Sequence, residues 1–147
     1  MASTLANSIL TVRVIEEVTL NGSKRGSTIT REIGSINEVS ERIITTLTTG
    51  TDLLSLGDAA GAGTYVRSSL KYLRITNLDD SNFARLALIT DGTDVHLKLP
   101  AGDSFILSTG EAGAAEDSDA VTFDNIASIK SWADTASVDL EIFIAST

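Results

Sequence analysis

Four short apolar runs separated by turn-forming residues constrain the fold of this chain more than any other feature. Large apolar side chains recur at every second position in each run, at residues 73–75, 86–88, 95–99 and 105–107. A period of two places these side chains on one face of an extended backbone, which is typical of half-buried β-strands. Turn residues lie between the runs, at Asp79–Asn82, Asp91-Gly92 and Pro100–Gly102. Because connections this short join antiparallel neighbours, the sequence predicts a four-stranded meander.

The N-terminal part predicts a long hairpin. From Leu10 to Leu20 apolar residues again alternate with polar ones, except that Glu16 falls on the apolar face. A bulge that turns Glu16 outward, or a bend of the strand, would account for this exception. Asn21-Gly22 is a strong turn signal, although the polar segment from Asn21 to Gly26 is also compatible with a longer loop. The alternation from Ser27 to Ile36 predicts a second strand that pairs with the first.

Residues 39–47 are compatible with either a helix or a strand. Val39, Ile43 and Leu47 have helical spacing, but the segment is rich in β-branched residues that fit a pleated surface better. We therefore predict a strand. The whole chain then has nine to eleven short strands and no convincing long helix, which predicts an all-β fold, an antiparallel β-sandwich or jelly roll. Residues 1–8 are expected to form an N-terminal arm, and residues 9–147 a single domain.

Composition excludes several classes of protein. The 147 residues contain no cysteine, so disulfides and thiolate metal sites are excluded. The net charge of −9 argues against a nucleic-acid binder. No apolar run is long enough to cross a membrane, and the N-terminus lacks the basic region of a signal peptide. The negative charge is concentrated in residues 75–147, which carry thirteen acidic and three basic side chains, and such a face could meet a basic partner.

The sequence offers little catalytic chemistry. His96 is the only histidine, so a histidine-dependent triad or a multi-histidine metal site cannot be built within one chain. Asp117, Asp119 and Asp124 are the best fragment for a calcium site, but their spacing is not that of an EF-hand. We therefore predict a protein that is not an enzyme and has no cofactor. A carbohydrate-binding module is an alternative, with Trp132 and either Tyr65 or Tyr72 as stacking residues.

Three pairs of residues are candidates for contacts with a partner. Lys24 and Arg25 form the one basic doublet and lie at the predicted tip of the first hairpin. Gly61 and Gly63 lie in a Gly/Ala-rich loop, and Glu116 and Asp117 lie in an acidic loop that spans residues 109–119. Exposed loops and hairpin tips of this kind commonly carry the contacts between proteins.

Three segments resemble small β-sandwich structural proteins of tailed bacteriophages. They are the strand-turn LRITNLDDSNF at 73–83, the strand-turn LPAGDSFIL at 99–107 and the closing strand VDLEIFIA at 138–145. The resemblance covers about half of the chain. It implies a virion protein made in the host cytoplasm, a head decoration (cement) protein on the capsid surface, with a neck or tail component as the alternative. The implied partners are the major capsid protein, or neck or tail proteins in the alternative, and further copies of the chain in a homo-oligomer such as a trimer.

Overall fold

A computed structural model describes residues 6–115 and 122–147. The described residues form fourteen strands: β1 Ser8–Ile15, β2 Val18–Leu20, β3 Ser23–Arg25, β4 Thr28–Ile36, β5 Glu38–Thr46, β6 Thr51–Gly57, β7 Thr64–Val66, β8 Leu70–Asn77, β9 Ala84–Thr90, β10 Asp94–Leu99, β11 Ser104–Leu107, β12 Gly113–Ala114, β13 Asp124–Ala133 and β14 Val138–Ser146. A single 3-10 turn, Arg67–Ser69, precedes β8. Four strands (β2, β3, β7 and β12) have only two or three residues, so ten are longer.

Two sheets pack face to face. One has the order β10-β9-β13-β6-β7, with β12 beside β13, and the other has the order β11-β8-β14-β5. All pairs are antiparallel except β6–β7. The core between the sheets consists of leucine and isoleucine side chains such as Leu73, Leu86, Ile129 and Ile142. The all-β antiparallel sandwich is thereby confirmed, and the jelly roll stays a prediction.

The predicted four-stranded meander is wrong. Only β9 and β10 form the expected hairpin, whereas β8 and β11 pair with each other in the opposite sheet. The connections at residues 78–83 and 100–103 therefore cross from one sheet to the other. A period of two in the sequence identifies the buried face of a strand, but it does not identify the neighbour of that strand.

Asn77 holds this crossing in place. Its side chain is fully buried at the end of β8, where Nδ2 donates hydrogen bonds to the carbonyl oxygens of Asn82 and Leu99 at 2.9 and 3.2 Å. Its Oδ1 accepts a hydrogen bond from the backbone N–H of Asp79 at 2.9 Å. One amide thus joins a strand of each sheet to the turn between them.

The turn itself is organised by Asp79. The backbone N–H groups of Asn82 and Ser81 donate to its carboxylate at 2.6 and 2.8 Å. These two bonds stabilise the charged form and lower the pKa of Asp79. Asp79 therefore acts as a turn-forming residue, as the sequence predicted.

Residues 38–46 form a strand, as predicted, and this strand is the edge of the four-stranded sheet. Ile44 of β5 packs against the main core. Arg42 donates a hydrogen bond to the carbonyl oxygen of Leu53 at 2.6 Å, which ties this edge to β6 of the other sheet. The β-branched composition of the segment therefore outweighs its helical spacing.

Strands β1 to β4 form a long hairpin, defined here as residues 8–36, that belongs to neither sheet of the sandwich. Its base is fixed by a second apolar cluster, in which Ile33 and Ile36 pack against Tyr72 and Ala145. Because Tyr72 and Ala145 pair across β8 and β14 and lie outside the main core, this cluster covers part of the outer face of the four-stranded sheet. Of the predicted arm at residues 1–8, residues 1–5 lie outside the described part of the chain, and Ser8 already begins β1.

Candidate interaction surface

The tip of the long hairpin is a tight turn with both central residues in the left-handed region. The φ angles are 49° at Asn21 and 79° at Gly22, and asparagine and glycine are the residues that adopt such angles most readily. Val18 to Leu20 pair with Ser23 to Arg25 on either side of this turn. The predicted Asn-Gly hairpin is confirmed, and it places Lys24 and Arg25 beside the tip.

An irregularity separates this tip from the rest of the hairpin. The backbone N–H of Glu16 donates to the carbonyl oxygen of Ser27 at 2.9 Å, whereas regular pairing stops at Ile15 and resumes at Val18. Gly26 lies opposite with a φ of 126°, and a Cβ atom there would be only 1.8 Å from the carbonyl oxygen of Glu16. The break that the sequence predicted at Glu16 is therefore real, and glycine at position 26 is what permits it.

Beyond its base, the long hairpin exposes large apolar side chains. Val14 and Ile29 form a directly opposed pair on the same face as Leu10, Val12 and Ile33, which belong to the apolar cluster at the base. Ile29 is 60% exposed. Ile9 and Ile15 lie on the opposite face of β1, Val18 and Leu20 lie beyond the irregularity, and all four are exposed as well. Exposed apolar side chains on a projecting hairpin are candidates for a site that another protein covers.

The hairpin also differs from the rest of the chain in charge. Residues 8–36 carry four basic and three acidic side chains, a net charge of +1. Because the whole chain has a net charge of −9, the residues outside the hairpin have a net charge of −10. Lys24 Nζ lies 3.2 Å from Glu17 Oε1, with both side chains largely exposed. Such a surface ion pair contributes little to stability, and it leaves both groups accessible to a partner.

A second apolar surface lies on the outer face of the four-stranded sheet, beside the base of the long hairpin. We call it the β5 face and define it by Val39, Glu41, Ile43, Asp139 and Glu141. Val39 and Ile43 are 56% and 62% exposed. In register, Val39 lies opposite Ala145, Glu41 opposite Phe143, and Ile43 opposite Glu141. Glu141 Oε1 accepts a hydrogen bond from Arg74 at 2.5 Å, so the β5 face combines apolar and acidic side chains.

This surface was not predicted from the sequence, although the sequence contains a signal for it. In a strand over residues 39–47, odd and even positions point to opposite faces. Apolar side chains occur at both, with Val39 and Ile43 at odd positions and Ile44 at an even one. Ile44 packs into the main core, so Val39 and Ile43 must point outward. An apolar residue on the outer face of an edge strand is a reason to look for a partner.

The two predicted glycines lie near the other side of the same edge strand. Gly61 and Thr64 form an isolated bridge, and Gly63 has a φ of 72°. A cleft of about 350 Å³ lies between this loop and β5, and its lining includes Glu38, Arg42 and Gly63. The structure therefore brings Gly63 to the edge of β5, whereas Lys24 and Arg25 lie at the far end of the hairpin. Glu116, Asp117 and the calcium fragment at 117–119 lie outside the described residues.

The aromatic residues proposed for sugar stacking do not share a platform. Tyr72 is buried under the base of the hairpin, where it contacts the ring of Phe143 edge-on at 6.0 Å. Trp132 lies on the outer face of the opposite sheet, and the guanidinium of Arg85 stands 4.4 Å from the centre of its ring. Tyr65 packs against the main core. Arg85 thus covers one side of the indole, on which a sugar ring would otherwise stack.

Within 6–115 and 122–147, no three His, Cys, Asp or Glu side chains are arranged to hold a metal ion. In the same ranges, no helix has the length and apolar character needed to cross a membrane. His96, as predicted, is an exposed residue of a strand.

Comparisons with protein-family models, with curated proteins and with solved structures found no match to this chain. The resemblance to phage structural proteins therefore stays a prediction.

Proposed function

We propose that this chain is a structural virion protein of a tailed bacteriophage, a head decoration protein that binds the capsid surface and stabilises the shell. The observation that carries the proposal is the long hairpin, whose projecting part exposes apolar side chains that the described part of the chain does not cover. The proposal that this assembly is a phage particle rests on the resemblance to phage β-sandwich proteins at residues 73–83, 99–107 and 138–145.

The hairpin favours an assembly role because of its energetics. A two-stranded hairpin alone is marginally stable in water, and here only the base, at Ile33 and Ile36, is buried against the body. Covering Val14, Ile29 and Val18 with a neighbouring subunit would stabilise the hairpin by about 1.5–3 kcal/mol for each side chain fully buried. A protein that is repeated many times on a particle can use such modest contacts, because many weak contacts together retain it.

The copy number of the chain in particles tests the proposal. Purified particles of the phage that encodes the chain are digested, and the chain is quantified by mass spectrometry against the major capsid protein. A ratio near one per shell subunit, or near one third, is the expected result for a decoration protein. About a dozen copies or fewer in each particle would assign the chain to the neck or tail. Absence of the chain from particles would refute the virion proposal.

A further inference from the structure

We infer that the long hairpin of one copy docks on the β5 face of a second copy of the same chain. The inference rests on the proposed function, because it names the partner of the hairpin on which that function depends. The two surfaces are different, so the contact is head-to-tail. Repeated around an axis, such a contact gives a closed ring, and a trimer is the smallest ring beyond a dimer.

The apolar groups of the two surfaces match. The hairpin presents the pair Val14 and Ile29, and the β5 face presents Val39 and Ile43. The β5 face is also continuous with a contact that the chain already makes, because its neighbour Ala145 is covered by the base of its own hairpin. A second hairpin laid beside that base would extend an existing hairpin-on-sheet contact across the uncovered part of the sheet.

Charge also favours the contact. Arg31 pairs with Val12 and therefore lies on the same face as Val14 and Ile29. Near the tip, Lys24 and Arg25 are balanced by Glu16 and Glu17, and Lys24 is already paired with Glu17, so Arg31 carries the basic charge of the apolar face. The β5 face carries Glu41, Asp139 and Glu141, of which Glu141 is already bonded to Arg74. A second copy therefore offers Glu41 and Asp139 as acidic partners for Arg31.

The hairpin is long enough to make this contact. From Val12, which packs against the apolar cluster at the base, to Leu20 near the tip, the strand path is eight residues, or about 26 Å at 3.3 Å per residue. The four strands of the sheet span about 14 Å, from three spacings of roughly 4.8 Å. The projecting part is therefore longer than the sheet is wide, and it can lie along the part of a neighbour's sheet that the neighbour's own hairpin base leaves uncovered.

The test uses the full-length protein and three variants. Ile29→Glu places a negative charge on the hairpin, Ile43→Lys places a positive charge on the β5 face, and Phe123→Glu is the control, since Phe123 is 70% exposed away from both surfaces. Mass in solution is measured by light scattering and analytical ultracentrifugation, and circular dichroism with urea unfolding checks that each variant is folded. We expect the wild-type protein and Phe123→Glu to be oligomers, and each of the other variants to associate about tenfold to a hundredfold more weakly.

Mixing the two defective variants is the decisive step. Ile29→Glu keeps an intact β5 face, and Ile43→Lys keeps an intact hairpin, so one good contact can form between them. At a protein concentration where each variant alone is monomeric, the mixture is expected to give a heterodimer. The absence of a complex in the mixture would overturn the inference, and so would a monomeric wild-type protein or variants that keep the wild-type mass.

These outcomes separate the inference from the proposed function. A wild-type protein that is monomeric in solution but abundant on particles would refute docking between copies and leave the virion role standing. An oligomer with the expected behaviour that is absent from particles would refute the virion role and leave the docking standing.

Discussion

Replacing Gly26 by alanine should unpair the tip of the long hairpin without unfolding the sandwich. The added Cβ would lie 1.8 Å from the carbonyl oxygen of Glu16 and 2.5 Å from its carbonyl carbon, which are backbone atoms that cannot rotate away. The backbone at position 26 has a φ of 126°, which side-chain-bearing residues rarely adopt. Both problems are relieved only if the two strands separate at this point.

The expected cost follows from these contacts. A residue forced into a φ region that glycine alone populates costs about 1–3 kcal/mol. Loss of the hydrogen bond from Glu16 N–H to the carbonyl oxygen of Ser27 adds roughly 0.5–1.5 kcal/mol. The sum is about 1.5–4.5 kcal/mol, and the six paired residues of β2 and β3 have no buried side chain to oppose it. Because an isolated hairpin is marginal at best, the tip should be mostly unpaired.

Gly22→Ala is the matched control. Gly22 also has a positive φ, 79°, but a Cβ atom there meets nothing within 4 Å. The substitution should therefore cost only about 1–2 kcal/mol, the usual penalty for a left-handed residue. Comparison of the two variants separates the steric clash at position 26 from the conformational preference that both glycines share.

Hydrogen exchange followed by mass spectrometry measures the effect locally. Peptides that cover residues 16–27 should lose protection in Gly26→Ala and keep most of it in Gly22→Ala, whereas peptides from β8, β13 and β14 should be unchanged in both. The urea midpoint of the sandwich should also be unchanged. Equal protection of residues 16–27 in Gly26→Ala and the wild-type protein would refute the steric reasoning, and a large fall of the urea midpoint would show that the hairpin and the sandwich unfold together.

Two further predictions concern the crossing between the sheets. Asn77→Ala removes the hydrogen-bond donor to the carbonyl oxygens of Asn82 and Leu99, and it should lower the free energy of unfolding by about 2–5 kcal/mol in urea denaturation. The control, Asn125→Ala at an exposed position, should change the free energy of unfolding by less than about 0.5 kcal/mol. Equal effects of the two substitutions would contradict the bridging role of Asn77. Asp79→Asn should lower stability at pH 7, where the carboxylate is charged in the wild-type protein. The N–H groups of Asn82 and Ser81 lower the pKa of Asp79 from its usual value of 3.8, so the stabilisation by the carboxylate is present above pH 3.8 and is lost as the pH falls through the folded-state pKa. The difference in free energy of unfolding between Asp79→Asn and the wild-type protein should therefore shrink in urea titrations at low pH. A difference that does not change with pH would show that the charge of Asp79 has no role.

Much of the fold could be predicted because local signals and tertiary structure agree. Asn21-Gly22 specifies a turn that needs two positive φ angles, and the alternation on either side specifies the strands that flank it. Residues 38–46 form a strand because Ile44 can reach the main core from an edge position. In these places the backbone preference of a few residues is enough to determine the element.

The partners of the strands could not be predicted in the same way. The connection at residues 78–83 has the composition of a hairpin turn, yet it crosses between sheets because the side chain of Asn77 hydrogen-bonds to Asn82 and to Leu99. Neither bond joins residues that are adjacent in the sequence. A buried asparagine at the end of a strand has no periodic signature, so the crossing becomes visible only in three dimensions.

The long hairpin shows that alternation in a sequence does not distinguish a strand face that its own chain buries from one that its own chain leaves exposed. Alternation from Leu10 to Leu20 indicates that one face of the strand is apolar, and the base of the hairpin does bury this face against Tyr72. Farther along the same strand, Val14 continues the pattern but is exposed. The hydrophobic effect is proportional to the apolar area removed from water and does not depend on which chain removes it. A period of two that continues beyond the buried base therefore marks apolar area that stays available for burial, and this area is the basis of the docking proposed for the hairpin.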